Sequence, residues 1–445
     1  MKIRWAKGIF IRHQANESAV WCPRTNGCTI MSDVQPFLCK IGTEWREESD
    51  IIAEISKEFE CDASVVTEDA CHIFGELLSQ GFIEREGWCE RLESKNAYTD
   101  LMTENQYDGS SSPLDGFCGR HSIPSELHID LTDACTERCV HCYVPQDQHD
   151  FLPYAQVEKL LEEFRAANGL TVHLTGGEGM LHPDFERICR LCVELNVNFL
   201  IFSNLTLCNE DRIAFLKEVD PQFINVSLYS MEAAEHDAIT CLPGSWQKTM
   251  DAILACEKAG VHIRLAAPLL KPNQNAYPAL KRFADDHHMH LIPACDIVPR
   301  ANHTCSNLDY ACSVDEMERT LCANKGLFDR GWTGEMPDQA SKVCDIGVAR
   351  LYVNAKGEYY PCDCMHGYVL GNVRENKLSE IWRGEKLAYL RRLKNCDFGK
   401  CASCEHRPYC KVCPAFNFNA TGDLFTTIPE KCRVSEAVHR VYGRR

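Results

Sequence analysis

From Ser125 onward, apolar runs and helical stretches alternate, and no other feature restricts the possible folds of this chain as tightly. Runs at 127–131, 170–174, 197–202, 223–228, 261–267 and 290–294 read as strands. Between them, 157–166, 185–195, 213–219 and 249–258 carry helical periodicity. Strands joined through helices pair in parallel, and their crossovers keep one hand. Six such strands curl into a partial (β/α)6 barrel of the α/β class. Chemistry in barrels of this kind lies at the C-terminal strand ends, so the residues after each run matter most.

After the first run comes Asp133-Ala-Cys-Thr-Glu-Arg-Cys-Val-His-Cys-Tyr143, with Cys135, Cys139 and Cys142 spaced C-x3-C-x2-C. Three close thiolates can hold three irons of a [4Fe–4S] cube and leave the fourth without a protein ligand. A structural zinc loop is the alternative, but zinc favours paired C-x2-C knuckles and closes all four positions. The next run ends in Thr175-Gly-Gly-Glu178. Bare backbone there permits close approach of a ligand, and Glu178 offers a carboxylate to an ammonium group.

Together these residues resemble the radical S-adenosylmethionine (SAM) enzymes. The resemblance implies that Cys135, Cys139 and Cys142 ligate the cluster and that Gly176, Gly177 and Glu178 meet the methionine amino group. Ser203, Asn204 and Ser227, at later strand ends, are expected to bind the SAM carboxylate and ribose, and Tyr143 is expected as a further SAM contact. For Asn204 an ordinary turn residue is an equal reading. The segment His236-Asp237-Ala-Ile-Thr240 resembles a His-Asp-x-x-Arg motif of the family, but Thr240 stands where the arginine would be. That arginine's role is not carried over.

At 445 residues the chain is too long for one ordinary core. Its 45% hydrophobic and 25% charged content is that of a soluble globular protein. A net charge of −17 argues against nucleic acid, which selects basic surfaces. No apolar run approaches the ~20 residues that span a bilayer, and Met1-Lys-Ile-Arg-Trp5 lacks a secretory apolar segment. A cytoplasmic location is expected, with no membrane partner. In a reducing compartment, 28 cysteines point to metal or cluster ligation more than to disulfides. Cys189, Cys192 and Cys256 are exceptions, on apolar helix faces where a thiol acts as a small hydrophobe.

Nine cysteines lie between Cys344 and Cys432. The pattern Cys344-x12-Gly357-x4-Cys362, then Cys401-x2-Cys404-x5-Cys410-x2-Cys413 and Cys432, resembles the SPASM domain, which carries auxiliary Fe–S clusters. A double zinc ribbon is the alternative. The resemblance implies a distal cluster on Cys401, Cys404, Cys410 and Cys432. Cys344, Cys362 and Cys413 would hold a nearer one, with Cys364 the local candidate for its fourth ligand or that position left open for substrate. With the core cluster this makes three [4Fe–4S] clusters.

Residues 1–95 read as a small α+β unit. Strands are expected at 8–13, 18–22 and 28–32, the last through an Asn26-Gly27 turn. Two helices follow, one with Ile51, Ile52, Ile55 and Phe59 on its apolar face, the other with Ala70, Ile73, Phe74, Leu77 and Leu78. Residues 82–86 form a short wing strand. A DNA-binding winged helix is discounted because the segment is not basic. In this context it resembles the winged-helix-like PqqD-type domain, which holds the leader of a precursor peptide as an added strand. Residues 96–122, with Asp108-Gly-Ser-Ser-Ser-Pro113, read as a linker, 123–310 as the radical SAM partial barrel and 311–445 as the SPASM domain.

The resemblance as a whole implies a maturase of a ribosomally made peptide. It would cleave SAM to a 5′-deoxyadenosyl radical and join a cysteine sulfur to carbon, as in sactipeptides and ranthipeptides. Its partners would be a leader-bearing precursor peptide and an electron donor such as flavodoxin or ferredoxin. Competing readings are another radical peptide modification (C–C or C–O crosslinking, oxidative decarboxylation, epimerisation) and a non-catalytic zinc-binding adaptor.

Overall fold

A computed structural model of the chain describes residues 1–87, 112–144, 147–300, 302–329, 332 and 334–443. They form two compact units, Met1–Ile123 and Pro124–Arg445.

In the first unit, β2 (Phe10–Gln14), β3 (Glu17–Cys22) and β4 (Gly27–Ser32) make an antiparallel meander, close to the expected strands. Asn26 takes the left-handed φ of +53° that the turn before β4 requires. A second sheet has β1 (Lys2–Trp5) between β5 (Arg46–Glu47) and β6 (Ile83–Arg85). The wing strand is therefore present, and its partner is the N-terminal stretch itself. Helices Glu48–Glu58 and Ala63–Ser79 bury Ile51, Ile55, Ala70, Ile73, Phe74 and Leu77, with Ile52 and Leu78 partly covered. Phe59 does not join that face. The helix ends at Glu58, and Phe59 is 54% exposed as its C-cap residue.

The expected linker is partly structured. Ser112 and Asp115 form a reciprocal capping box, and helix Pro113–His121 packs on β3 and β4 with Phe117 fully buried. Arg120 and His121 both bond Glu17 on β3. A Ser-Pro-x-Asp start can open a helix as well as a loop, and here burial of Phe117 favours the helix. Residues 96–111 of the expected linker lie outside the described residues.

In the second unit, β7 (Glu126–Asp130), β8 (Thr171–Thr175), β9 (Asn198–Ser203), β10 (Ile224–Ser227), β11 (Ile263–Pro268) and β12 (His290–Ala294) pair in parallel and in sequence order. These are the six expected strands, shifted by at most two residues at either end. Helices Tyr154–Ala166, Phe185–Glu194, Glu210–Val219 and Ser245–Ala259 fill the expected crossovers, and Tyr277–Asp286, not expected, fills the last. Inside this layer Leu127, Ile129, Val157, Leu160, Leu161, Phe164, Val172 and Leu174 have no exposure. Each contributes about 1.5–3 kcal/mol by leaving water. Cys189, Cys192 and Cys256 are buried among them as expected.

The sheet does not stop at the six strands. On the free side of β7, β13 (Arg350–Val353) adds in parallel, followed by antiparallel β14 (Glu358–Tyr360) and β15 (Gly371–Asn372). The C-terminal cysteine segment is thereby stitched to the barrel through one nine-stranded sheet. Among the described residues no helix is long and apolar enough to cross a membrane.

Candidate active site and cluster ligands

The cysteine loop starts where β7 ends. Gly177 N donates to Thr132 O at 2.7 Å and Glu178 N to Ala134 O at 2.8 Å, so the Gly-Gly-Glu segment continues the β7–β8 ladder along the base of the loop. A Cβ on Gly176, whose φ is +128°, would lie 2.3 Å from Thr132 O, and one on Gly177 would lie 2.3 Å from Ala134 O. These positions are glycine because the loop backbone presses against them.

The Glu178 carboxylate is held within the protein. It has no solvent exposure and accepts hydrogen bonds from Met180 N at 3.0 Å, Asn204 N at 2.8 Å and the Ser203 hydroxyl at 2.9–3.0 Å. Burial raises its pKa despite these donors. Ser203 is likewise occupied, its oxygen also accepting from Leu205 N.

Asn204 latches the loop from β9. Its amide donates to Thr136 Oγ1 at 2.9 Å and approaches Cys135 Sγ at 3.8 Å, while Oδ1 accepts from Thr206 N and from the Thr206 hydroxyl. Ser227 ends β10 beside the Tyr229 hydroxyl, and that hydroxyl lies 3.7 Å from Cys139 Sγ. Tyr229, two residues beyond Ser227, is not among the expected site residues, and its contact with Cys139 marks it as part of the site. Tyr143 turns toward the C-terminal segment, its ring 5.2 Å from that of His366. Thr240 is fully buried on Ser245 Oγ at 2.7 Å, and its carbonyl with that of Ile239 accepts Arg138 N and Val140 N from the loop. The segment in the place of the arginine motif therefore supports the loop through its backbone.

Burial pushes the Cys135 thiol up to about 12 and raises Cys139 and Cys142 too, and Cys142 acts on each of the other two through space. Three adjoining thiols that water cannot ionise suit iron, whose charge ionises its ligands. The C-terminal cysteines gather in two groups of four. Cys344 lies by Cys362 and Cys413, and Cys364 contacts Cys362 and feels Cys413. Cys401, Cys404, Cys410 and Cys432 act on one another. Cys396 stands apart, exposed beside Asp397. Cys362, Asp363 and Cys364 bring their ligand atoms within 4.8 Å of one another, beside the place sequence left undecided.

Sulfur chemistry alone would admit zinc in either tetrad. The radical SAM superfamily matches residues 129–276, and the SPASM iron–sulfur cluster-binding domain matches 344–414. This chain carries a radical SAM core followed by a SPASM domain. The core spans the loop of Cys135, Cys139 and Cys142, and the SPASM match begins at Cys344 and takes in Cys413. The two domains imply SAM and [4Fe–4S] clusters. An AdoMet-dependent heme synthase of Methanosarcina barkeri is 23% identical over 69% of this chain and 96% of its own. The sporulation killing factor maturation protein SkfB of Bacillus subtilis is 23% identical over 68% of this chain and 75% of its own. Streptococcus suis SuiB, in a crystal structure with precursor peptide SuiA, shares the fold at TM-score 0.60 and 15% identity, covering 97% of this chain and 100% of that one. The chain is a radical SAM enzyme with a SPASM domain, related to peptide-modifying maturases and to heme synthases.

Proposed function

We propose that this enzyme matures a ribosomally made peptide by closing intramolecular thioether bonds. The observation that carries the peptide reading is the separate Met1–Ile123 unit, whose two small antiparallel sheets end in edge strands such as β2 and β5. An edge strand offers unpaired backbone to which an extended leader can add, as PqqD-type domains do. SuiB, which shares the fold over nearly the whole chain, was crystallised with a precursor peptide.

Cys135, Cys139 and Cys142 would hold the core cluster, Asn204 and the Ile239–Thr240 backbone would fix their loop, and the Glu178–Ser203 clamp would set the β8 and β9 ends around it. SAM bound there supplies, on one-electron reduction, methionine and a 5′-deoxyadenosyl radical that takes a hydrogen atom from a substrate carbon. The substrate's cysteine thiolate then bonds to that carbon. The cysteines Cys344, Cys362, Cys364, Cys413 and Cys401, Cys404, Cys410, Cys432 would hold the auxiliary clusters, which would supply a path for the one surplus electron to an oxidised flavodoxin or ferredoxin. With Cys364 as fourth ligand, that cluster would need no substrate sulfur and would serve as electron acceptor.

The test is anaerobic incubation of enzyme, reductant and SAM with the cysteine-bearing peptide encoded beside the gene. The expected product has lost two hydrogens, resists thiol alkylation, and forms alongside 5′-deoxyadenosine. A tetrapyrrole substrate is the second reading, favoured by the heme synthase relatives. Turnover of an iron porphyrin, with none of the peptide, would establish it instead.

A further inference from the structure

Lys431 occupies a position that ordinary stability rules disfavour twice. It is 8% exposed, and it lies in the first turn of helix Pro429–Tyr442, where the helix dipole opposes a cation. Its ammonium donates to Asp296 Oδ1 at 2.7 Å and stands 5.7 Å from the centre of the Phe416 ring. Asp296 follows β12 at the end of the barrel, with its side chain 44% exposed and partly screened by water.

What surrounds this pair is anionic once metallated. Lys431 directly precedes Cys432 of one tetrad in the helix, and it faces the ring of Phe416, whose amide N–H donates to Cys413 Sγ of the other tetrad at 3.4 Å. One buried cation therefore stands beside a member of each thiol group, with Asp296 as its ion-pair partner.

We propose that Lys431 and Asp296 together set how readily the two SPASM clusters accept the electron left over from bond formation. A cation beside a cluster stabilises its reduced, more negative state, and a carboxylate destabilises it. Lys431 holds both clusters ready to accept one electron per crosslink, which an oxidised flavodoxin or ferredoxin then collects. The inference rests on the reading of both tetrads as Fe–S ligands.

The test is an EPR-monitored redox titration of the full chain, reconstituted anaerobically. Lys431→Met should lower the reduced-to-oxidised ratio of both SPASM clusters at fixed poise about tenfold, equivalent to about 59 mV for a one-electron couple. Asp296→Asn should shift it the other way by less, and Lys431→Arg should restore it, while the cluster on Cys135, Cys139 and Cys142 hardly moves. Lys431→Gln serves as a second neutral variant if the Met protein fails to fold. A purely structural ion pair would lower stability in both Lys431→Met and Asp296→Asn without opposite potential shifts. Unchanged potentials in a fully loaded neutral variant would overturn the proposal. Iron and sulfide sufficient for the core cluster alone would remove the cluster reading, and the proposal with it.

Discussion

The Ser203 hydroxyl is placed to donate to either carboxylate oxygen of Glu178, 2.9 and 3.0 Å away, at a carboxylate with no solvent exposure. This contact clamps the end of β9 to the end of β8, directly beneath the loop that carries Cys135. Ser203→Ala leaves a buried carboxylate short of a donor. It should cost about 1–3 kcal/mol of stability, read as a lower urea midpoint with unchanged slope. A loss within the scatter of surface substitutions would mean that the carboxylate finds compensation elsewhere.

Gly177 meets the loop still more closely. In Gly177→Ala the new methyl would collide with Ala134 O at 2.3 Å and with Asp133 O at 2.7 Å. Both contacts are backbone, so the loop of Cys135 must move. The expected outcome is loss of one cluster's iron and of SAM cleavage, with the circular dichroism spectrum retained. Full cleavage activity would show that the loop tolerates the shift.

Cys364 and Cys396 make a matched pair for testing the C-terminal ligands, since Cys364 lies within its tetrad and Cys396 lies outside both. Cys364→Ala should open an iron site, so that added thiol alters the EPR signal of that cluster. Wild type and Cys396→Ala should not respond. A wild-type response equal to that of the variant would show that Cys364 is not a ligand.

Thr240 has no exposed surface and shares a 2.7 Å hydrogen bond with Ser245. Restoring the arginine of the related motif would force an unpaired guanidinium into that space. Thr240→Arg should therefore destabilise the fold by about 3–5 kcal/mol and gain no SAM affinity. Tighter SAM binding at unchanged melting temperature would overturn this account.

The N-terminal unit includes Phe117, fully buried from helix Pro113–His121. A fragment of residues 1–123 should accordingly be more stable than one of residues 1–95, by an amount on the order of losing a core phenylalanine, about 3–5 kcal/mol. Thermal melts of the two fragments decide it. The longer fragment should also hold leader peptide that the remainder of the chain does not. Equal leader affinity in the chain lacking residues 1–123 would sink the recognition reading.

Local pattern determined much of this protein. An apolar run flanked by turn residues commits to a strand through its own side chains, so the six barrel strands were legible to within two residues. The spacing of Cys135, Cys139 and Cys142, and of the cysteines from Cys344 onward, named the candidate ligands. What sequence left open depended on partners far along the chain. Lys2–Trp5 becomes a strand because β6 pairs with it across about 80 residues, and β13 joins β7 across more than 200. The donors that hold the Glu178 carboxylate, the Ser203 hydroxyl and Asn204 N, are brought to it by the neighbouring strand. Lys431 meets Asp296 and Phe416 only through the packing of helix Pro429–Tyr442. Spacing records which atoms are available. Which of them meet, and which are already satisfied, follows from burial and long-range pairing, because a buried polar group takes whatever donor the tertiary fold brings to it.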